Sequence, residues 1–248
     1  METKNVMTPD QQQIAYDHYR CGAPDLVIIA HGFFNSKDSV LLKELGRDLS
    51  GDYDVILLDF RGHGKSRGLF YWTTKEYLDL LAVLQAEQEK YRKIAVIGFS
   101  LGAATTIITA TKTQRIGSII AVSGPTAFEK IEFHFWDLDI ENDIFYNIAG
   151  KGSVGKGVRP GPFWQKKERP IDLVDQVSCP VFFIHGEADW LIQPWHSQAM
   201  YDKAHGIKDI AVLKNGPHAE YLMRKNKQEF LVLVHQWLRK TLKEGAAC

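Results

Sequence analysis

Six short aliphatic or β-branched runs recur along the chain, bounded by Gly, Asp or Pro: Leu26–Ala30, Asp54–Asp59, Lys93–Gly98, Gly117–Val122, Val181–His185 and Lys208–Leu213. Apolar runs without alternation are the pattern of strands buried on both faces of a sheet. Between them lie longer stretches, over about 36–49, 73–91, 101–111, 194–204 and 218–242, that read as helices. The last carries Phe230, Val234, Trp237 and Leu238 at helical spacing. Strands alternating with helices predict an α/β fold: a mostly parallel central sheet flanked by helices on both faces. Ahead of this pattern, Val6 to Tyr16 reads as a β-hairpin whose turn opens at Pro9-Asp10. No repeat at a solenoid or propeller period is present, which removes those architectures.

The alternation stops between Gly124 and Pro170. Phe128, Phe133, Phe135, Trp136, Phe145, Tyr146, Phe163 and Trp164 crowd into this interval, beside an acidic patch and a Gly/Lys loop. An interruption this long in a sheet protein is usually functional. Residues 124–170 are therefore expected to form an inserted cap over one end of the sheet, with 1–123 and 171–248 making the core.

Composition narrows the function classes. The 248 residues are 45% apolar and 24% charged, which suits one globular unit with a sizeable core. Thirty basic residues balance thirty acidic ones, so charge gives no reason to expect nucleic acid or anionic lipid as a partner. Three cysteines imply no disulfide framework, and no C-x-x-C spacing exists to hold zinc. There is no apolar leader at the N-terminus and no run near the ~18 residues of a membrane span. A soluble, cytoplasmic protein is the expectation.

The chemistry begins at Gly98-Phe99-Ser100-Leu101-Gly102, a G-x-S-x-G string. By itself the string is weak; its place between a strand and a helix rich in small residues makes it strong. A serine there sits on a strained turn, and the positions two before and two after must be small. A serine hydroxyl needs a base within reach. His218 lies after the final strand, in Asn215-Gly-Pro-His218, and Asp189 follows the Val181–His185 strand, placed to orient the imidazole. Glu187 competes with Asp189 but has the longer side chain. All three then sit on loops at the C-terminal edge of a parallel sheet, where such sheets bind ligands.

On these motifs the chain resembles the α/β-hydrolase superfamily over nearly its whole length, with Ser100, Asp189 and His218 at the triad positions. His31-Gly32-Phe33 looks like the family's oxyanion loop, and Asp59-Phe-Arg-Gly-His-Gly-Lys-Ser66 resembles its D-x-R-G-x-G-x-S signature. The resemblance implies the backbone N–H groups of Phe33 and Leu101 as oxyanion donors. Finer likeness is to serine-aminopeptidase-like and monoglyceride-lipase-like branches with a compact cap. Ser rather than Asp at position 100 argues, by the same resemblance, against dehalogenase or epoxide hydrolase chemistry.

Other motifs are decoys. Gly150 to Lys156 mimics a phosphate loop, but Gly157 stands where Ser or Thr would hold magnesium, and Val158-Arg-Pro-Gly-Pro162 forbids the helix that would follow. The loop reads instead as a cap hinge. His31 and His63 read as loop-orienting, and His185 as a satisfied core residue. Phe34, Trp136, Trp164 and Trp190 are the candidate substrate contacts. The expected activity is cofactor-free hydrolysis of small to medium acyl or aromatic acyl esters through an acyl-enzyme. Aminopeptidase, amidase, acyltransferase or perhydrolase chemistry would use the same triad, and a retired, ligand-binding scaffold is the alternative of another class.

Overall fold

The strands are β1 (Glu2–Met7), β2 (Gln13–Tyr19), β3 (Asp25–Ala30), β4 (Asp54–Leu58), β5 (Lys93–Phe99), β6 (Ser118–Val122), β7 (Val181–Gly186) and β8 (Lys208–Leu213). They come from a computed structural model that describes residues 1–132, 134, 140, 145–146 and 151–243. One sheet joins them in the order β1-β2-β4-β3-β5-β6-β7-β8. The hairpin β1–β2 adds antiparallel to β4, and every later pairing is parallel. Ala30 lies beside both Leu58 and Gly98, and Val122 beside both Phe99 and Ile184, so the strands end level along one edge. The turns leaving β3, β5, β6 and β7 converge there.

Alternate residues of each strand feed two cores. Val27, Ile29 and Val55 pack with Leu45 of helix α1 (Val40–Leu49) and with Phe230 and Trp237 from the C-terminal helix. Leu26, Ile28 and Ile56 pack with Leu80 of α2 (Glu76–Glu87) and Ile107 of α3 (Leu101–Ala110). Helix α4 (Trp195–Lys203) contributes Met200 to this second face. A parallel sheet covered on both sides explains why its strands read as unbroken apolar runs.

The helices start later than their periodicity suggests. Before α1, the Ser36 hydroxyl accepts from Asp38 N–H at 3.2 Å and the Ser36 carbonyl from Ser39 N–H at 3.1 Å, which closes a turn instead of a helical one. Before α2, Trp72 and Thr73 have φ of 57° and 76°, which no right-handed helix accommodates. The stretch 218–242 is not one helix. A 3-10 turn (Ala219–Tyr221) and a short helix (Leu222–Lys225) end at Asn226, whose amide donates to the Lys214 carbonyl at 3.1 Å. The Asn226 carbonyl then accepts from Phe230 N–H at 2.9 Å and opens α5 (Lys227–Leu238). The break lets α5 lie under the sheet while His218 stays at its edge.

The Asp59–Ser66 segment is a clamp. Asp59 accepts from the backbone N–H groups of Lys37 and Lys65 at 2.7 and 2.8 Å, and Arg61 pairs with Asp79 and Asp10, both at 2.7 Å. Within 124–170, short 3-10 turns occur at Phe128–Lys130 and Lys151–Ser153. The segment that follows the Gly/Lys loop, residues 157–161, is stitched to the core. Gly157 N–H donates to the Phe34 carbonyl, Arg159 N–H to Gly62, Phe70 N–H to Arg159 and Gly161 N–H to Phe70.

Candidate active site

Ser100 occupies the single residue between β5 and α3, with φ 53° and ψ −117°. Its N–H donates to the Val122 carbonyl at 2.8 Å, which anchors the turn to the neighbouring strand. A left-handed non-glycine residue costs about 1–3 kcal/mol. Burying Ile97 and Phe99 behind it, each worth about 1.5–3 kcal/mol, holds the turn in place. The flanking glycines are obligatory: a Cβ on Gly98 would lie 2.6 Å from the Gly102 carbonyl oxygen, and one on Gly102 would collide with that of Ala30. Phe34, Ser123 and Ala219 also have positive φ, so four strained residues line the same edge of the sheet.

Asp189, 1% exposed, holds His218. Its Oδ1 accepts from the N–H groups of Leu191 and Ile192 at 3.1 and 2.9 Å. Its Oδ2 accepts from His218 Nδ1 at 2.7 Å and lies 3.2 Å from His185 Nε2. Burial pushes this carboxyl up, but the facing His218 and the hydrogen bonds from His185 and His218 outweigh it and hold Asp189 well below the ordinary carboxylate range. An ionised Asp189 fixes the proton on His218 Nδ1 and makes Nε2 the basic nitrogen. His185 is satisfied, as expected: one ring nitrogen bonds the Ile192 carbonyl and the other the Ser197 hydroxyl, both at 2.7 Å. Glu187 is exposed and accepts from Asn215 N–H at 2.9 Å, away from His218's partner.

Ser100 and His218 line one cavity of about 380 Å³, together with Gly32, Phe33, Phe34 and Trp190. The backbone N–H groups of Phe33 and Leu101 have no hydrogen-bond acceptor among the described residues. His31 orients the Phe33 turn. Its Nε2 accepts from Phe60 N–H at 3.0 Å, so Nδ1 carries the proton and donates to the Gly32 carbonyl at 2.7 Å. Burial, aided by the neighbouring His63, keeps His31 well below its ordinary value and neutral. Burial likewise pushes His63 down to about 4.

Of the expected substrate contacts, Phe34 and Trp190 line the cavity. Trp164 does not: it is 76% exposed, packs edge-on against Phe163, and lines neither cavity at Ser100. Trp136 lies outside the described residues, as do Asp137, Asp139, Glu141 and Asp143 of the acidic patch. The sequence reading missed Lys156, Glu220 and Tyr221 in the first cavity. It also missed a second cavity of about 500 Å³ at Ser100, walled by Trp72, Phe128, Ile131 and Ile192. Trp72 stacks on Phe33 at 5.4 Å and donates its indole N–H to the Gly161 carbonyl at 3.1 Å. The aromatic cluster Phe70-Tyr71-Trp72 straight after the Asp59–Ser66 segment was the available signal. Among the described residues, no group of three or more His, Cys, Asp or Glu is placed to hold a metal ion. No described helix is long and apolar enough to cross a membrane.

This arrangement, a strained serine after a central parallel strand with an Asp–His pair on the following loops, is the one the α/β-hydrolase fold presents. The family model described as the alpha/beta hydrolase fold matches residues 25–142. The uncharacterized protein YqkD of Bacillus subtilis is 27% identical over 230 residues, covering 84% of this chain and 71% of that protein. Esterase YbfF of Escherichia coli is 35% identical over 98 residues, 39% of this chain and 37% of its own. Among solved structures, the Pyrococcus furiosus esterase Pf2001 superposes with a TM-score of 0.76 at 21% identity, covering 97% of this chain and 92% of that one. The chain has the α/β-hydrolase fold, and over residues 25–142 it is similar in sequence to the family of that description.

Proposed function

We propose that the protein is a serine hydrolase of carboxylic esters, with Ser100 as nucleophile, His218 as general base and acid, and Asp189 as the residue that orients His218. The observation that carries this reading is the 2.7 Å bond from His218 to buried, ionised Asp189, with Ser100 on the same cavity wall as His218. Ser100 Oγ attacks the ester carbonyl while His218 Nε2 takes its proton. The carbonyl oxygen becomes an oxyanion, received by the N–H groups of Phe33 and Leu101; losing one such donor costs about 3 kcal/mol of transition-state stabilisation. His218 then protonates the departing alcohol, and water, deprotonated by the same nitrogen, releases the acid from Ser100. Residues 124–170 act as the cap, contributing Lys156 to one cavity and Phe128 and Ile131 to the other. Esterase names on a sequence relative and a structural neighbour point the same way. Aminopeptidase chemistry is disfavoured because the carboxylate in the cavity, Glu220, is already paired with Lys156 at 3.3 Å and offers no unmatched charge to a substrate ammonium.

Hydrolysis of p-nitrophenyl esters from acetyl to long acyl chains, with cinnamoyl and aminoacyl analogues, tests the proposal. Turnover and fluorophosphonate labelling are expected in the wild type and lost in Ser100→Ala. A wild type that turns over none of them and resists the probe overturns it in favour of a binding scaffold.

A further inference from the structure

Ser100 lies on the wall between two cavities of different character. Only the first contains His218; the second is walled by Trp72, Phe128, Ile131 and Ile192. If Ser100 cleaves an ester as proposed above, the proton that His218 takes from Ser100 must pass to the leaving oxygen. The alcohol half therefore lies on the His218 side, and the acyl half is left the apolar cavity. The alcohol side is the one that holds charge.

There Lys156 Nζ donates to Glu220 Oε1 at 3.3 Å and to the Tyr221 hydroxyl at 3.1 Å, which uses two of its three N–H groups. Glu220 Oε1 also accepts from Asn35 Nδ2 at 2.5 Å, whereas its Oε2 has no hydrogen bond among the described residues. The 5% exposure of Glu220 and the two hydrogen bonds that hold Lys156 make this a fixed pair rather than two surface charges. Among the described residues one donor and one acceptor are left on this ion pair, which carries no net charge. A free anion placed there would meet Glu220, and a free ammonium would meet Lys156. A hydroxyl group donates and accepts at once, and satisfies both.

We propose that Lys156 and Glu220 are specificity residues that select esters of a hydroxylated alcohol, the hydroxyl of the leaving group bridging Lys156 Nζ and Glu220 Oε2. The residue that resembled part of a phosphate loop thus reads the leaving group. The pair acts by binding, so its effect appears in the comparison between alcohols rather than in the chemistry at Ser100.

The test holds the acyl group constant and varies the alcohol: ethyl, 2-hydroxyethyl, carboxymethyl and 2-(trimethylammonio)ethyl butanoate, followed by kcat/KM in a pH-stat. The 2-hydroxyethyl ester is expected to exceed the ethyl ester by tenfold or more, the range that one hydrogen bond to a charged group supplies. That ratio should fall to within about threefold in Lys156→Met and in Glu220→Gln, and partly recover in Lys156→Arg, which keeps the ion pair. Thermal melts exclude misfolded variants. A wild-type ratio near one, a ratio unchanged by the variants, or a preference for either charged ester overturns the assignment. Fluorophosphonate labelling separates the two failures. Labelled, active enzyme without alcohol preference sinks this inference alone, and unlabelled, inactive enzyme sinks the hydrolase reading and this inference with it.

Discussion

Replacing Asp189 with asparagine removes a charge at which three hydrogen-bond donors meet, His218 Nδ1 at 2.7 Å and the N–H groups of Leu191 and Ile192 at 3.1 and 2.9 Å, with His185 Nε2 3.2 Å away. An amide has one acceptor oxygen. If that oxygen keeps the two backbone donors, the NH2 group faces His218, which must then accept through Nδ1 and carry its proton on Nε2. That tautomer has no lone pair for the Ser100 proton. A wrong tautomer of this kind lowers kcat about 10⁴-fold, about 5 kcal/mol of barrier. The flipped amide restores His218 but leaves two backbone N–H groups against an NH2, at about 1–3 kcal/mol each. Steady-state hydrolysis of p-nitrophenyl butanoate measures the first outcome, and a thermal melt the second. Glu187→Gln is the control: among the described residues this exposed side chain holds only Asn215 N–H, and the variant is expected to stay within about twofold of wild type. An Asp189→Asn enzyme within tenfold of wild type in kcat, or a Glu187→Gln enzyme that is inactive, would refute the assignment of the acid.

Three further outcomes follow from the geometry. Gly102→Ala drives a Cβ into the Ala30 carbonyl and should yield protein that is insoluble or inactive, so soluble enzyme with wild-type kcat would contradict the turn as described. Trp72→Ala opens the apolar cavity and removes the stack on Phe33; the optimum in a p-nitrophenyl acyl series should move to longer chains, and an unchanged profile would place the acyl group elsewhere. His63 is held neutral, its folded value of about 4 lying below the ordinary ~6.5, so its contribution is present at neutral pH and lost as pH falls through that window. Asp59, pushed up by burial to about 6, changes stability in the opposite direction over much of the same range, so the His63 effect is read from a variant. In His63→Gln the stability lost between pH 7.5 and 4.5, measured from urea midpoints, should shrink by about 2–3 kcal/mol relative to wild type; equal losses would show that His63 titrates normally.

The parts readable from sequence are those fixed by local rules. Strands buried on both faces cannot alternate, so five apolar runs found β3 to β7 within a residue or two, while β8, the half-exposed edge strand, was found from Ile210 to Leu213 and its flanking residues. The G-x-S-x-G string worked because both glycines answer steric demands within a few residues of Ser100. What stayed hidden depends on contacts between distant segments. Lys156 enters the cavity because Gly157 and Arg159 bond to loops about a hundred residues earlier, and no spacing rule reports that. The break at Asn226 needs the Lys214 carbonyl, supplied by the turn after β8. Trp164 looked like a pocket residue by composition alone; Trp72, anchored to Gly161, takes that place from the other side of the chain.

The left-handed residues at the sheet edge set stability and activity against each other. Phe34, Ser100, Ser123 and Ala219 each hold a conformation that glycine would adopt at less cost. Ser100→Gly would relax the turn and raise the melting temperature while removing the proposed nucleophile. A selection for thermal resistance alone would therefore drift toward a dead enzyme, and a screen meant to harden this protein must score turnover in every round.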